Sequence, residues 1–267
     1  MKKLLLATAL FAFSCSAIAQ QTSKSKKEVR KAEKRARLNA QIKAAEEGVI
    51  AYHKHYAFGL KLTTDGYGVS FEKGYAKSLK SSTLFQLEIS ERKHQKETKQ
   101  SSLFSPSSPF IYGKINFFYP IKLGVQKQYL LGNKSNKNGV SVTANIGGGI
   151  SLGLLRPYEL QIDDPASSSR KSIRYNSPDS FLFTHPGGLN PSGPGLGKGW
   201  NGTKLTPGLY LKPAVRFDYG RYNDLVAAIE VGVMAEYYTK KIPQMVDNKE
   251  EKFFFSAYFT LLFGKRK

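Results

Sequence analysis

The residues best suited to chemistry are few. His185 lies in Phe183-Thr184-His185-Pro186-Gly187, with Asp179, Ser180 and Ser192 close by in sequence. These are the residue types that assemble a nucleophile, a base and an orienting acid, and on a membrane rim their chemistry would be lipid hydrolysis or acyl transfer. A base must lie within hydrogen-bond reach of its nucleophile, which nearness in sequence does not supply. The local pattern matches no catalytic motif, and no catalytic residue is assigned. His53-x-His55 offers two imidazoles on one side of a strand without a third ligand, and His94 falls in a polar loop. Asp163-Asp164 is an acidic pair without the regular oxygen spacing of a calcium loop. The glycine-rich run 193–199 lacks the Lys-Ser/Thr and the strand–helix context of a phosphate loop. Neither a metal nor a cofactor is expected.

The elements that would position such groups follow an export signal. Lys2 and Lys3 form a charged start, residues 4–13 an apolar stretch, and Ala17-Ile18-Ala19 a small-x-small cleavage site. The stretch is too short to cross a bilayer as a helix, which weighs against a retained anchor. Cys15 suggests a lipoprotein signal, but Ala12-Phe13-Ser14 lacks the aliphatic residue usual three positions before such a cysteine. Cleavage after Ala19 is expected, and it removes the only cysteine and with it all thiol chemistry. No later run of about 18 apolar residues remains to form a transmembrane helix. The net charge of +21 becomes +19 without Lys2 and Lys3. Such an excess attracts nucleic acid or anionic membrane surfaces. Export argues against nucleic acid and favours lipid headgroups or cell-wall polymers, with solvated lysine-rich loops as the plain alternative.

Residues 20–50 are rich in Lys, Arg, Ala and Glu and contain no proline. Nine basic and four acidic side chains make the segment +5, with Gly48 as a stop. Its apolar residues, Val29, Leu38 and Ile42, are too sparse for a strong stripe, so an exposed basic periplasmic helix is expected. From residue 51 the period changes from helical to two. Eight strands are expected, over 56–64, 67–77, 83–92, 110–131, 140–154, 208–219, 225–240 and 253–263. Asp65-Gly66 is read as a hairpin turn, and Pro120 as a bend or bulge in the long fourth strand. A loop rich in Pro, Gly and Ser covers 156–206.

Alternation alone would also fit a soluble sandwich. Strands of about ten residues are what a tilted strand needs to cross a bilayer. The polar faces carry small and charged residues that suit a narrow lumen. The connections also alternate in length. With the N-terminus in the periplasm, the segments around His94, 156–206 and 242–251 lie outside, and the turns 78–82, 133–139 and 221–224 inside. The last strand puts Phe253, Phe255, Phe259, Leu261 and Phe263 on one face. Gly264-Lys265-Arg266-Lys267 follows it, a departure from the usual terminal aromatic. The fold class is therefore all-β: a closed antiparallel transmembrane β-barrel of about eight strands over 51–267, in the outer membrane, preceded by the basic helix.

Thr64-Asp65-Gly66-Tyr67-Gly68, Lys137-Asn138-Gly139-Val140, Gly147-Gly148-Gly149, the run from Ser151 through Arg156-Pro157-Tyr158, Arg216-Phe217-Asp218-Tyr219-Gly220 and Lys240-Lys241-Ile242-Pro243-Gln244-Met245 resemble an uncharacterised family of exported outer-membrane β-barrel proteins from Bacteroidota. The resemblance covers most of the chain after the signal. It implies an outer-membrane barrel and no established activity.

A barrel of eight strands is filled by its own side chains. Strand phase turns Lys61, Glu72, Glu88, Lys114, Lys122, Lys212, Arg216, Asp218, Glu230 and Glu236 inward, where burial requires them to pair into a plug. Tyr158, Tyr175, Phe181, Phe183 and Trp200 are the candidate binding residues of the outer loop, which is otherwise a shield or a segment folded back to cap the barrel. The expected function is a non-enzymatic interaction or envelope-organising role. A rim-active lipid hydrolase or acyltransferase and a narrow solute pore are the alternatives. The expected partners are outer-membrane lipid and, through the basic helix, cell wall or an envelope protein.

Overall fold

The computed structural model describes residues 28–33, 35–36, 39–40, 53–78, 80–101, 108–133, 139–164, 169–175, 178, 180–186, 188–195, 197–220 and 225–267. The chain divides into two units, Met1–Ala51 and Tyr52–Lys267. In the first, the described residues are helical and exposed. The signal over 1–19, most of the basic helix and the turn at 221–224 lie outside the described residues.

In the second unit eight long strands close into an antiparallel barrel. They are β1 (Lys54–Thr63), β2 (Gly66–Ala76), β3 (Ser81–Arg92), β6 (Asn116–Gly132), β7 (Ser141–Pro157), β10 (Lys204–Asp218), β11 (Leu225–Ile242) and β12 (Glu251–Arg266). Each pairs with its sequential long-strand neighbour, and β1 closes the barrel on β12, with Phe58 opposite Phe263 and Leu60 opposite Leu261. Short pairs lie in the connections: β4 (Lys99–Gln100) with β5 (Phe110–Ile111), and β8 (Leu160–Asp163) with β9 (Arg170–Ile173).

Aromatic and aliphatic residues at every second position form these strands, because successive side chains leave a strand on opposite faces. The burial is inverted relative to a sandwich core. In β1 the outward Phe58, Leu60 and Leu62 are 48, 49 and 62% exposed, whereas inward Lys61 is 2% exposed. The other strands carry the same outward apolar face, with Phe71, Leu87, Leu123, Ile150, Leu211, Val231 and Phe259 all exposed. Along β12 it runs from Phe253 to Phe263. At about 3.4 Å per residue and a tilt of about 40°, that run is roughly 25 Å tall, the height of a bilayer's apolar zone.

The strands differ from the sequence reading mainly at their ends. The fourth expected strand starts at Asn116, not 110. Gly113 has φ +68°, a conformation glycine adopts without a Cβ penalty, and it breaks the run so that Phe110–Ile111 pairs with Lys99–Gln100 instead. The first hairpin turns on Thr64 and Asp65, with Gly66 already in register opposite Thr63. Neither turn residue has a positive φ, so this is not the Asp-Gly primed turn.

Lys54, Ala76, Ser81, Gly132, Ser141, Asp218, Leu225 and Arg266, each the end of a long strand, share one end of the barrel, the terminal end. The described residues of 64–65, 93–115, 158–203 and 243–250 share the other, the loop end.

Candidate functional site

The lumen is filled by ion pairs in layers. Nearest the terminal end, Arg216 of β10 donates from both Nη atoms to Glu72 at 2.8 and 2.8 Å, and from Nε and Nη2 to Glu230 at 3.0 and 2.7 Å. Glu230 stands opposite Arg216 in register. Glu72 is on β2, four strands away by either route around the barrel, so this pair crosses the full diameter. Gln86 donates to Glu72 at 3.2 Å, and His55 Nε2 lies 3.6 Å from the same carboxylate. Gln126, Asn145 and Tyr258 donate to Glu230 at 3.2, 2.8 and 2.9 Å. His55 is buried over Gly74, where any Cβ would run into its ring.

In the next layer Glu88 accepts from Lys61 at 2.7 Å and from Lys122 at 3.0 Å, with Lys212 at 3.7 Å. Lys61 Nζ also stands 3.9 Å over the Tyr258 ring. Above it, Glu236 accepts from Arg92 and Lys122 at 3.0 and 3.0 Å and from the Tyr238 hydroxyl at 2.5 Å. Arg92 on β3 and Glu236 on β11 are again four strands apart by either route. Arg92 Nε reaches Asp65 at 2.6 Å. Phe118, Tyr238 and Phe254 close the loop end of the lumen, their ring centroids 5.3 to 5.9 Å apart. A narrow interior of this kind demands such pairing, because an isolated buried charge costs several kcal/mol.

Of the ten residues assigned to the lumen, eight meet in this network. Asp218 is buried at the terminal end, where it pairs with Arg266 and accepts from the Gly220 N–H. Lys114 is a correction. It precedes β6, bridges to Met245 and pairs with Glu97 at 2.7 Å in the loop-end cap. Its displacement has the same cause as the late start of that strand, the Gly113 break. Burial lowers the Lys114 amine below the ordinary lysine range, and Glu97 opposes that shift. Arg92, Asp65, Tyr238 and Tyr258 complete the plug without having been singled out. All but the turn residue Asp65 have inward parity, the signal that would have found them.

The loop end is a folded cap, with a core of Phe110, Ile111, Tyr158, Leu160, Ile162, Ile173, Phe183 and Met245 drawn from three connections. Backbone bonds tie them together: Ile115 N–H donates to Gln244 O, and Tyr158 N–H to Ile115 O, both at 2.8 Å. Glu159 pairs with Arg174, and Asp163 with Arg170. A short helix, Ser180–Thr184, lies over this core.

The five aromatics assigned to ligand binding separate here. Tyr158 and Phe183 are 2% exposed and belong to the cap core, which withdraws them as contact residues. Ile111 N–H donates to the Tyr158 hydroxyl at 2.8 Å, and burial raises that phenol to about 12. Tyr175 packs edge-on against Phe183. Trp200 stacks on Tyr119 with the Arg156 guanidinium 4.9 Å from its ring. Phe181 is 71% exposed and stacks on His185 at 4.8 Å.

Phe181 and His185 line a cleft of about 1210 Å³ with Lys96, Gln100, Tyr112 and Asn248. Lys96 donates to Asn248 at 2.8 Å, and the Tyr112 hydroxyl to the Thr184 carbonyl at 2.6 Å. His185 Nδ1 lies 3.0 Å from Thr184 Oγ1. Ser192 is buried and bridges to Gln161, away from any role with His185, and Asp179 lies outside the described residues.

No family model and no curated protein matches the chain. Among solved structures it is similar to Neisserial surface protein A, at 9% identity and a TM-score of 0.37 over 81% of this chain and 97% of that one. It is similar to the N-terminal β-barrel domain of Pseudomonas aeruginosa OprF, at 10% identity and a TM-score of 0.32 over 79 and 96%. Ail, the attachment invasion locus protein of Yersinia pestis, matches at 8% identity and a TM-score of 0.34 over 80 and 96%.

Two outcomes follow from this geometry. Glu88→Ala leaves Lys61 and Lys122 without their shared carboxylate, and urea unfolding in lipid vesicles should show a loss of about 3–5 kcal/mol. The buried phenol of Tyr158 favours its neutral form. The stability it adds is fully present below about pH 10 and is lost as the pH rises towards 12. Alkaline melting of the cap, followed by phenolate absorbance, should lose that step in Tyr158→Phe.

Proposed function

We propose that the protein is an outer-membrane barrel with a non-enzymatic binding or envelope-organising role, performed at the loop end. The observation that carries this reading is the lumen. It is spanned from wall to wall at two levels, by Arg216–Glu72 and by Arg92–Glu236. A barrel closed in this way does not pass solutes, so its work falls to its ends. The outward apolar band supports a place in the bilayer, since a face of that composition is stable only against other apolar matter. The collection of every long connection at one end supports an orientation with the cap outside and the termini in the periplasm.

The cap supports binding because it has a core of its own, which holds the cleft beside Phe181 and His185 open. Aromatic faces beside an amine, amides and an imidazole suit a ligand that offers both apolar faces and hydrogen-bonding groups, as a glycan does. The +5 segment 20–50 adds a periplasmic contact with cell wall or an envelope protein.

With Cys15 removed by the signal peptidase, the mature chain has no native thiol. Phe181→Cys should therefore react with a membrane-impermeant maleimide on intact cells, and Ser78→Cys only after the envelope is opened. The reverse pattern, or recovery of the chain in the soluble periplasm, would sink the reading.

A further inference from the structure

We propose that the terminal end of the barrel carries a binding belt for the phosphate headgroups of anionic lipids, made by Lys54, Lys73, Lys127 and Lys265. This rests on the membrane reading above. The belt is visible in the strand register as two adjacent outward rows. In one, Lys265 of β12 stands opposite Tyr56 of β1, Tyr56 opposite Lys73 of β2, and Lys73 opposite Phe85 of β3. In the other, Lys54 of β1 stands opposite Tyr75 of β2, Tyr75 opposite Thr83 of β3, and Thr83 opposite Lys127 of β6.

The side chains in these rows hold the amines in place without neutralising them. Lys73 Nζ is 5.5 Å from the centroids of both the Tyr56 and the Tyr75 rings, and Lys54 Nζ is 6.0 Å from Tyr75. Lys127 donates to Thr83 Oγ1 at 2.7 Å. Among the described residues no carboxylate faces outward from either row. That separates these lysines from the others the fold holds in place. Lys61, Lys122 and Lys212 in the lumen face Glu88, and Lys114 in the cap faces Glu97. The girdle at the loop end is also self-neutralised, since Tyr67 donates to Glu91 at 2.7 Å and Lys93 stands over the same ring.

Depth selects the occupant. The next outward residues towards the loop end are Phe58, Phe71, Leu87 and Phe263, the edge of the apolar band. Lys54, Lys73 and Lys265 sit one or two outward positions beyond it on their own strands, where headgroup phosphates lie, and Lys127 joins them on β6 between the outward Val125 and Tyr129. Tyrosine is at home at that level, with its ring towards the tails and its hydroxyl towards water. Lysine reaches it by laying its methylene stem along apolar surface. Four cations within two rows, without carboxylates among them, make a local positive potential at that depth. An anionic lipid answers it, and a zwitterionic one only in part. A soluble polyanion would meet these amines only from beyond the headgroups.

The test is native mass spectrometry of the full mature chain released from nanodiscs of mixed phosphatidylglycerol and phosphatidylcholine. Phosphatidylglycerol should be retained in preference. Lys54→Gln/Lys73→Gln/Lys127→Gln should lower that retention at least about tenfold. Lys240→Gln/Lys241→Gln, at the loop end, should leave it unchanged. Equal retention of the two lipids, or wild-type retention by the triple variant, would overturn the belt. Belt-dependent capture of inorganic polyphosphate by the detergent-solubilised barrel, with lipid retention blind to charge, would overturn it in favour of a soluble polyanion. Heat-modifiable migration reports folding of each variant, and Lys73→Gln alone should show a partial loss if the triple variant does not fold. Failure of the wild type to insert counts against the membrane reading itself, whereas insertion with charge-blind retention counts against the belt alone.

Discussion

An inside-out barrel must neutralise its own interior. Closing eight strands leaves a lumen filled by side chains, and the outward face holds the apolar residues that would otherwise form a core. Every inward charge must then be answered by another inward charge. The described structure meets this condition with Lys61, Arg92, Lys122, Lys212 and Arg216 facing Glu72, Glu88, Glu230, Glu236 and the turn residue Asp65, and with Arg266 facing Asp218 at the terminal end. The pairs are not confined to neighbouring strands. Arg216–Glu72 and Arg92–Glu236 join opposite walls, so the network ties together strands that share no backbone hydrogen bond. A slip of one residue in any strand would turn its charges into the apolar surroundings, which makes the network a check on register as well as a plug.

The two ends of the barrel follow from this in different ways. At the loop end the Phe118–Tyr238–Phe254 rings seal the lumen, and the connections beyond them have enough apolar residues to build a second core. That core turns a stretch rich in Pro, Gly and Ser into a folded cap with a cleft on it. At the terminal end the described residues form a small inward apolar cluster, Ala57, Val226, Ala228 and Leu262, and an outward arrangement of tyrosines and lysines.

Much of the barrel was legible in the sequence because a period of two is a strong signal over ten or more residues. The alternation in 56–64 or 253–263 locates each strand and both of its faces, and eight of the ten charges that parity turns inward meet in the lumen network. Parity is blind to partners across the lumen. Nothing local joins Arg216 to Glu72 across 144 positions of sequence, so the diametral pairs appear only when the barrel closes. The cap was the least legible part. Leu160 and Ile162 alternate as a strand should, but β8 is only four residues long, and its partner β9 is reached through a loop. Aromatic composition alone likewise could not separate Tyr158 and Phe183, which build the cap core, from Phe181, which faces solvent. That separation depends on which side of a short helix meets the core.

The central claim is that paired charges close the barrel, so that its activity belongs to its ends. Single-channel recording on the purified, folded full chain in planar lipid bilayers tests it most directly. The closed plug predicts insertion, shown by protease protection of the barrel, without stepwise ion conductance at any applied voltage. Reproducible ohmic steps from the wild-type barrel would contradict it.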